Sequence, residues 1–388
     1  MALVGLLATR APAAGGAADE APQVDVKALI EKARELKVAV DYTAARDFLK
    51  KSFDAGVRDR LLAIELAETE LFLGLAAPAA ARFEVALLWN ENDVEIMFWS
   101  ALAEKAAGRD EKAAALLTKA LRAAGDDENR LYEMAEIFLR RGALSLAGVI
   151  YERILALYPR ESQFDVFASL HLAQYYMLVG KNDKAAEVLK RAKKPMEFGD
   201  VDILAPHEAD YWIAIFTALG QLESGNLDAG LDRLRDAAAR YPIGMAADAL
   251  VVRELQKAGR SDEAAGAYAL VLRRLIAALG NDPEDADAYH SIALLAAISQ
   301  RDTKAGLGYC QWAMDMKPFT AEYYDTQAAL LYSAGRYDKA LVSQNRAIDL
   351  VTSQRWVEAG AFAPMAWRRL DILEKLGLKP PRAYRRFD

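Results

Sequence analysis

The sequence predicts an all-α protein, an elongated solenoid of about nine helix–turn–helix units followed by a C-terminal capping helix. Three observations predict it. A chain of 388 residues is too long for one ordinary compact core. Its composition is 53% hydrophobic with only 12 prolines and 23 glycines, and strand-like runs of Val, Ile and Thr are scarce. Finally, a pattern of small residues recurs along most of its length with a period near 34 residues.

The recurring unit is a small residue, a glycine seven places on, and a second small residue five places beyond that. The first small residues are Ala33, Ala67, Ala101, Ala135, Ala173, Ala218, Val252, Ala293 and Ala328. The second are Ala45, Ala79, Ala113, Ala147, Ala185, Gly230, Ala264, Ala305 and Ala340, spaced 34, 34, 34, 38, 45, 34, 41 and 35 residues apart. Seven of the intervening positions are glycine, and Val40 and Gln300 fill the other two. Each unit is read as two helices of about a dozen residues, too short to be stable alone in water. The glycine closes the first helix in the left-handed conformation. The small residues let helix axes approach, and larger residues four places on, such as Phe83, Leu117, Tyr151, Leu189 and Tyr268, fill the groove between units.

These marks resemble the tetratricopeptide repeat over about Val26 to Thr352, and Leu331-Tyr332-Ser333-Ala334-Gly335-Arg336-Tyr337-Asp338-Lys339-Ala340 looks like its consensus. The resemblance implies a right-handed superhelical solenoid whose first helices line a concave surface that holds an extended peptide or a partner helix. Carried over position by position, the groove residues it implies include Ile64, Glu68, Phe98, Tyr132, Glu136, Phe167, Leu170, Trp212, Ile215 and Arg253. The lysine and asparagine clamp that chaperone-binding members use on a C-terminal carboxylate is missing. Apolar and aromatic side chains at the central positions, with carboxylates such as Glu322 and Asp325 towards the C-terminus, point to a groove for an apolar strip with a basic end. The other reading of Phe98, Tyr132, Phe167 and Trp212 is that long aromatic side chains pack against the next repeat.

The chain divides into a segment 1–22, a solenoid 23–352 with an insertion near 193–210 that reads as a loop, and a helix and tail over 353–388. A second excess near Leu275–Asp285 reads as an extended second helix. From Gly360 to Leu376 an amphipathic helix, with Trp367, Leu370, Leu373 and Leu376 on its apolar face and Arg368 and Arg369 exposed, is placed to cover the last hydrophobic face of the array. The tail bearing Arg382, Arg385 and Arg386 reads as a solvated end. At the other terminus, the apolar run Ala2–Ala8 and the small residues that follow it read either as a truncated secretory signal or as an alanine-rich tail.

No chemistry is indicated. The three histidines are far apart, Cys310 is the only cysteine, and phosphate-binding, EF-hand and nucleophile-elbow motifs are absent, so catalytic residues, metal ligands and cofactors are all read as none. A net charge of -7 argues against nucleic acid. No run reaches the roughly 18 to 20 apolar residues of a transmembrane helix. The expected function is a non-enzymatic scaffold or adaptor for a protein or peptide. An exported or periplasmic chain would act in envelope assembly, as in secretion, pilus or polysaccharide export; the alternative is a cytoplasmic adaptor or peptide sensor. Neither the partner nor an oligomeric state is named by any residue pattern.

Overall fold

The computed structural model describes residues 25–157, 163–197, 206–241, 245–353 and 362–387. Among them are nineteen α-helices, a 3-10 turn at Arg382–Tyr384 and no strand. Eighteen helices pair into nine hairpins, each helix packing on its partner in the hairpin. The first five hairpins are α1 (Val26–Val38) with α2 (Tyr42–Asp54), α3 (Arg60–Phe72) with α4 (Ala76–Trp89), α5 (Val94–Ala106) with α6 (Asp110–Ala124), α7 (Glu128–Arg140) with α8 (Leu144–Leu157), and α9 (Gln163–Leu178) with α10 (Asn182–Glu197). Then follow α11 (Pro206–Glu223) with α12 (Leu227–Arg240), α13 (Ala246–Lys257) with α14 (Ser261–Asn281), α15 (Ala286–Ser299) with α16 (Thr303–Met316), and α17 (Ala321–Ser333) with α18 (Tyr337–Ser353). The nineteenth is α19 (Phe362–Lys375).

The local chemistry explains where the helices start and stop. Asp25, Asp41, Asp59, Asp93, Asp127 and Asp285 each accept a hydrogen bond from the backbone N–H three residues on, at 2.9–3.1 Å, and so satisfy an orphan donor of the first turn. At the turn inside every hairpin the seven glycines take positive φ, and so do Val40 (63°) and Gln300 (54°). The left-handed turn is thus imposed by the fold even where no glycine supplies it. A β-branched residue is the most strained there, so Val40→Gly is expected to raise the unfolding free energy by about 0.5–1 kcal/mol in urea titration.

Seventeen of the eighteen small positions are buried, and Ala305 is the exception. The eighth hairpin carries one extra residue in its turn: α16 begins three residues after Gln300, whereas the second helix of every other hairpin begins two residues after the left-handed position. The register of α16 therefore moves on by one. Gly306 is the close-approach residue, and a Cβ there would lie 2.8 Å from the Ala296 Cβ. Cys310, four places on, takes the groove-filling position, fully buried with its thiol donating to the Tyr323 carbonyl at 3.2 Å. Ala113→Leu and Gly306→Leu are each expected to cost about 1–3 kcal/mol by overpacking. Ala305→Leu should change stability by less than about 0.5 kcal/mol, as exposed substitutions do. Equal costs at 305 and 306 in a denaturation series would refute the shifted register.

The insertion is more helical than its two prolines imply. α10 runs on to Glu197 and α11 starts at Pro206, where proline's missing N–H is no loss because the first helical N–H has no intrahelical acceptor. Lys193 pairs with Asp210 at 2.8 Å and ties the two ends together. The second excess is the 21-residue α14.

The C-terminal part is placed differently from the expectation. α19 packs on α17 and α18 but also on α7, α8 and α9, so it joins the end of the array to its middle. Leu370 lies against Gly142, and Arg368, expected in solvent, donates to the Asp325 carbonyl at 3.1 Å and pairs with its carboxylate. Arg369 is half-buried rather than exposed. The tail is not a solvated end: Ala383 and Tyr384 are buried and contact α5 and α8. A tail rich in arginine is held here because its aromatic residue has an apolar place to go.

Candidate functional site

The first helices α3, α5, α7 and α9 end along one edge of the array, and beside that edge lies a set of buried charges shared between three hairpins. On α3, Glu65 and Glu68 are buried. Lys37, from the end of α1, lies 2.8 Å from Glu65 and 3.8 Å from Glu68. Arg141, just past α7, lies 2.8 Å from Glu68 and 3.5 Å from Glu65. Burial alone would raise the Glu65 carboxyl, but Lys37, Arg141 and Arg34 outweigh it and hold it at about 2. Two carboxylates meet two close cations, so the network neutralises itself. It also ties the first, second and fourth hairpins together.

Beside the network the third and fourth hairpins stand apart. At the other joints consecutive hairpins bring helix backbones together, whereas here the contact is made by long side chains. Phe138 of α7 meets Phe98 at 5.4 Å and Trp99 at 5.2 Å between ring centroids, both edge to face. The tail enters this gap. Tyr384 is fully buried with its ring 5.2 Å from Phe72 and 6.2 Å from Trp99. The Arg141 guanidinium stands 6.0 Å over Trp99.

Main-chain groups hold the rest of the tail. The Lys379 N–H donates to the Phe72 carbonyl at 2.8 Å, and the Ser145 hydroxyl donates to the Ala383 carbonyl. Arg386 donates to the Val179 carbonyl at 2.7 Å. Phe72 is the last residue of α3 and Val179 follows the last of α9, so both carbonyls are at the negative ends of helices, where cationic groups are favoured. Pro381, at φ -64° and ψ 145°, keeps the approach extended before the 3-10 turn delivers Tyr384.

In all nine hairpins a left-handed turn follows the first buried small position by seven residues. A second buried small position opens the packing face of the next helix, displaced by one residue only in the eighth. The chain is an all-α repeat solenoid in the register that the tetratricopeptide resemblance implies. No family model and no curated protein matches it. Solved structures with similar helix stacks include Naa15/Naa10 bound to HypK-THB, at 14% identity over 85% of this chain with a TM-score of 0.32; this chain covers 64% of that one. They also include the TPR domain of P58(IPK), at 15% identity over 90% of this chain and 99% of that chain with a TM-score of 0.25. A third is a thermophilic TPR protein of Thermus thermophilus, at 20% identity over 55% of this chain and 100% of that one, with a TM-score of 0.33. The repeat register rests on the residues and burial above, not on these overlaps.

The tetratricopeptide positions expected to face the groove separate into three groups. Ile64, Glu68 and Phe98 are buried, Glu68 held by Arg141 and Phe98 packed on the next repeat through Phe138. Phe167, Leu170 and Ile215 are nearly or fully buried, and Tyr132 rests between Tyr151 and Phe167, with ring centroids 6.1 and 6.0 Å away. Glu136, Trp212 and Arg253 keep partial exposure: Glu136 pairs with Arg140 at 3.1 Å, Trp212 meets Tyr211 edge to face, and Arg253 pairs with Glu254 at 2.7 Å. Arg253 also lines a cavity of about 250 Å³ with Asp325, Arg368 and Asp371. Asp325, one of the expected C-terminal carboxylates, already has a basic partner in Arg368 of the same chain.

Phe72, Trp99, Arg141, Ser145 and Tyr384 went unnoticed in the sequence. Only Tyr384 carried a signal: a large aromatic between Arg382 and Arg385 is out of place in a solvated end. Among the described residues no cluster of metal-ligating side chains is found, and no helix is long and apolar enough to cross a membrane.

Proposed function

We propose that this protein is a non-enzymatic interaction scaffold that binds an extended segment of another protein along the first-helix edge of its second to fifth repeats. The observation that carries this reading is the tail itself. That edge accepts an extended chain through main-chain carbonyls and one buried aromatic anchor, as peptide-binding surfaces do. A photo-crosslinking residue at Lys181, an exposed position two residues past Val179 at the end of α9, is expected to capture a partner, while the same residue at the exposed Leu88 of α4 is not. Equal capture at both positions would overturn the assignment of the face.

The export reading rests on Ala2–Ala18, which lie outside the described residues. A role in envelope assembly is supported if N-terminal sequencing of the mature chain finds that segment removed. Its retention supports a cytoplasmic adaptor.

A further inference from the structure

We infer that the gap between the third and fourth repeats is a recognition site for a small–aromatic–any–basic segment supplied by a partner protein, and that Ala383–Arg386 of the chain's own tail is its resident competitor. The inference rests on the scaffold function proposed above and names the chemistry of its ligand.

Three features separate this site from a fixed piece of core. The first is the joint. Neighbouring repeats elsewhere close on each other through helix backbones, whereas this one is propped open by Phe98, Trp99 and Phe138 and sealed by a ring from the far end of the chain. The second is what the tail leaves behind on departure. Phe72 and Val179 lose donors to their carbonyls and Ser145 loses an acceptor, all groups that water satisfies. The charge network is closed by Lys37 and Arg141 without the tail, so its release strands no buried ion. The third is the fit. The Tyr384 hydroxyl is buried with no hydrogen-bond partner among the described residues, and Arg385 turns back to Asp371 and the Trp367 ring of α19 instead of gripping the wall. A ligand that fills the ring pocket without stranding a hydroxyl binds better than the tail does. The carbonyl at the end of α9, where Arg386 donates, selects for a basic residue two places after the ring.

The test uses the full-length chain and a fluorescent peptide with the sequence Leu378–Asp388. Wild-type protein is expected to bind it weakly, because the tethered tail competes at high effective concentration. Tyr384→Ala protein, whose own anchor is gone, should bind at least tenfold more tightly. A peptide carrying Phe in place of the tyrosine should gain about a further tenfold, and one carrying Ala there should not bind. Indifference of the wild-type and Tyr384→Ala proteins to the peptide overturns the inference, as does loss of helical signal in Tyr384→Ala, which would make the tail a structural strap. Hydrogen exchange on the wild-type chain decides independently of any variant. The Lys379 amide should exchange faster than α5 and faster still with excess peptide; exchange only through global unfolding overturns the inference. A dimer that forms by exchange of tails assigns the site to a second copy and overturns the partner proposed here. Peptide binding as expected with no capture at Lys181 sinks the scaffold function alone. Capture at Lys181 with indifference to the peptide sinks only this site.

Discussion

Replacing Arg141 by methionine is expected to lower the unfolding free energy by about 3 kcal/mol, the low end of the cost of breaking a buried ion pair. The carboxylate it abandons is chiefly Glu68, which is 7% exposed and whose next cation, Lys37, is 3.8 Å away. Glu65 is better protected, since Lys37 stays at 2.8 Å and Arg34 at 3.6 Å. The reach of Arg141 makes the loss more than local. In a solenoid each repeat ordinarily contacts only its neighbours, and stability is close to a sum of nearest-neighbour terms. Arg141 connects the fourth repeat to the second across the third, so its loss should also broaden the denaturant transition. Combining Arg141→Met with Glu68→Gln should recover part of the loss, with a coupling energy of about 1–3 kcal/mol in a double-mutant cycle. Strict additivity would show that the pair contributes nothing beyond its separate packing.

Acidification from pH 7 to pH 4 is expected to destabilise the chain through His171. Its ring is stacked on Tyr151 at 5.2 Å, and neither nitrogen has a hydrogen-bond partner among the described residues. Burial pushes its pKa down from 6.5 to about 4. The unfolded chain therefore takes up the proton first. The stability this histidine contributes is complete above pH 6.5 and is lost as the pH falls towards 4, a loss of roughly 3 kcal/mol at about 1.4 kcal/mol per unit. His290, whose ring bonds to Thr326 at 2.9 Å, is also pushed to about 4, by burial that outweighs Asp287 and Asp325, and adds in the same window. Glu65 acts lower, its contribution present above 4.5 and lost towards 2. His171→Leu should remove about half of the slope between pH 6.5 and 5 in chemical denaturation. An unchanged slope in that variant would place the acid sensitivity elsewhere.

Most of the solenoid is legible in the sequence because its forces are local. A small residue at Ala33 or Ala45 is demanded by the distance between two helix axes within one hairpin, and an aspartate such as Asp127 caps the helix that follows it directly. The exception shows the rule's limit. Ala305 satisfied the spacing, but one added residue in a turn passed the role to Gly306, and no count of residues registers a turn's geometry.

The groove positions were legible as positions but not as an open surface. Phe98 and Ile64 do lie on first helices as the period requires, yet both are fully buried, Phe98 against Phe138 of the next repeat. By itself the sequence determined the all-α repeat and its register in eight of nine hairpins, since both depend on residues within about one repeat of one another. Only the tertiary structure decided that α19 returns to the middle of the array, that Arg141 reaches Glu68 and that Tyr384 fills the third joint. These contacts join residues 73 to more than 200 places apart, and their existence depends on how small rotations between successive repeats accumulate.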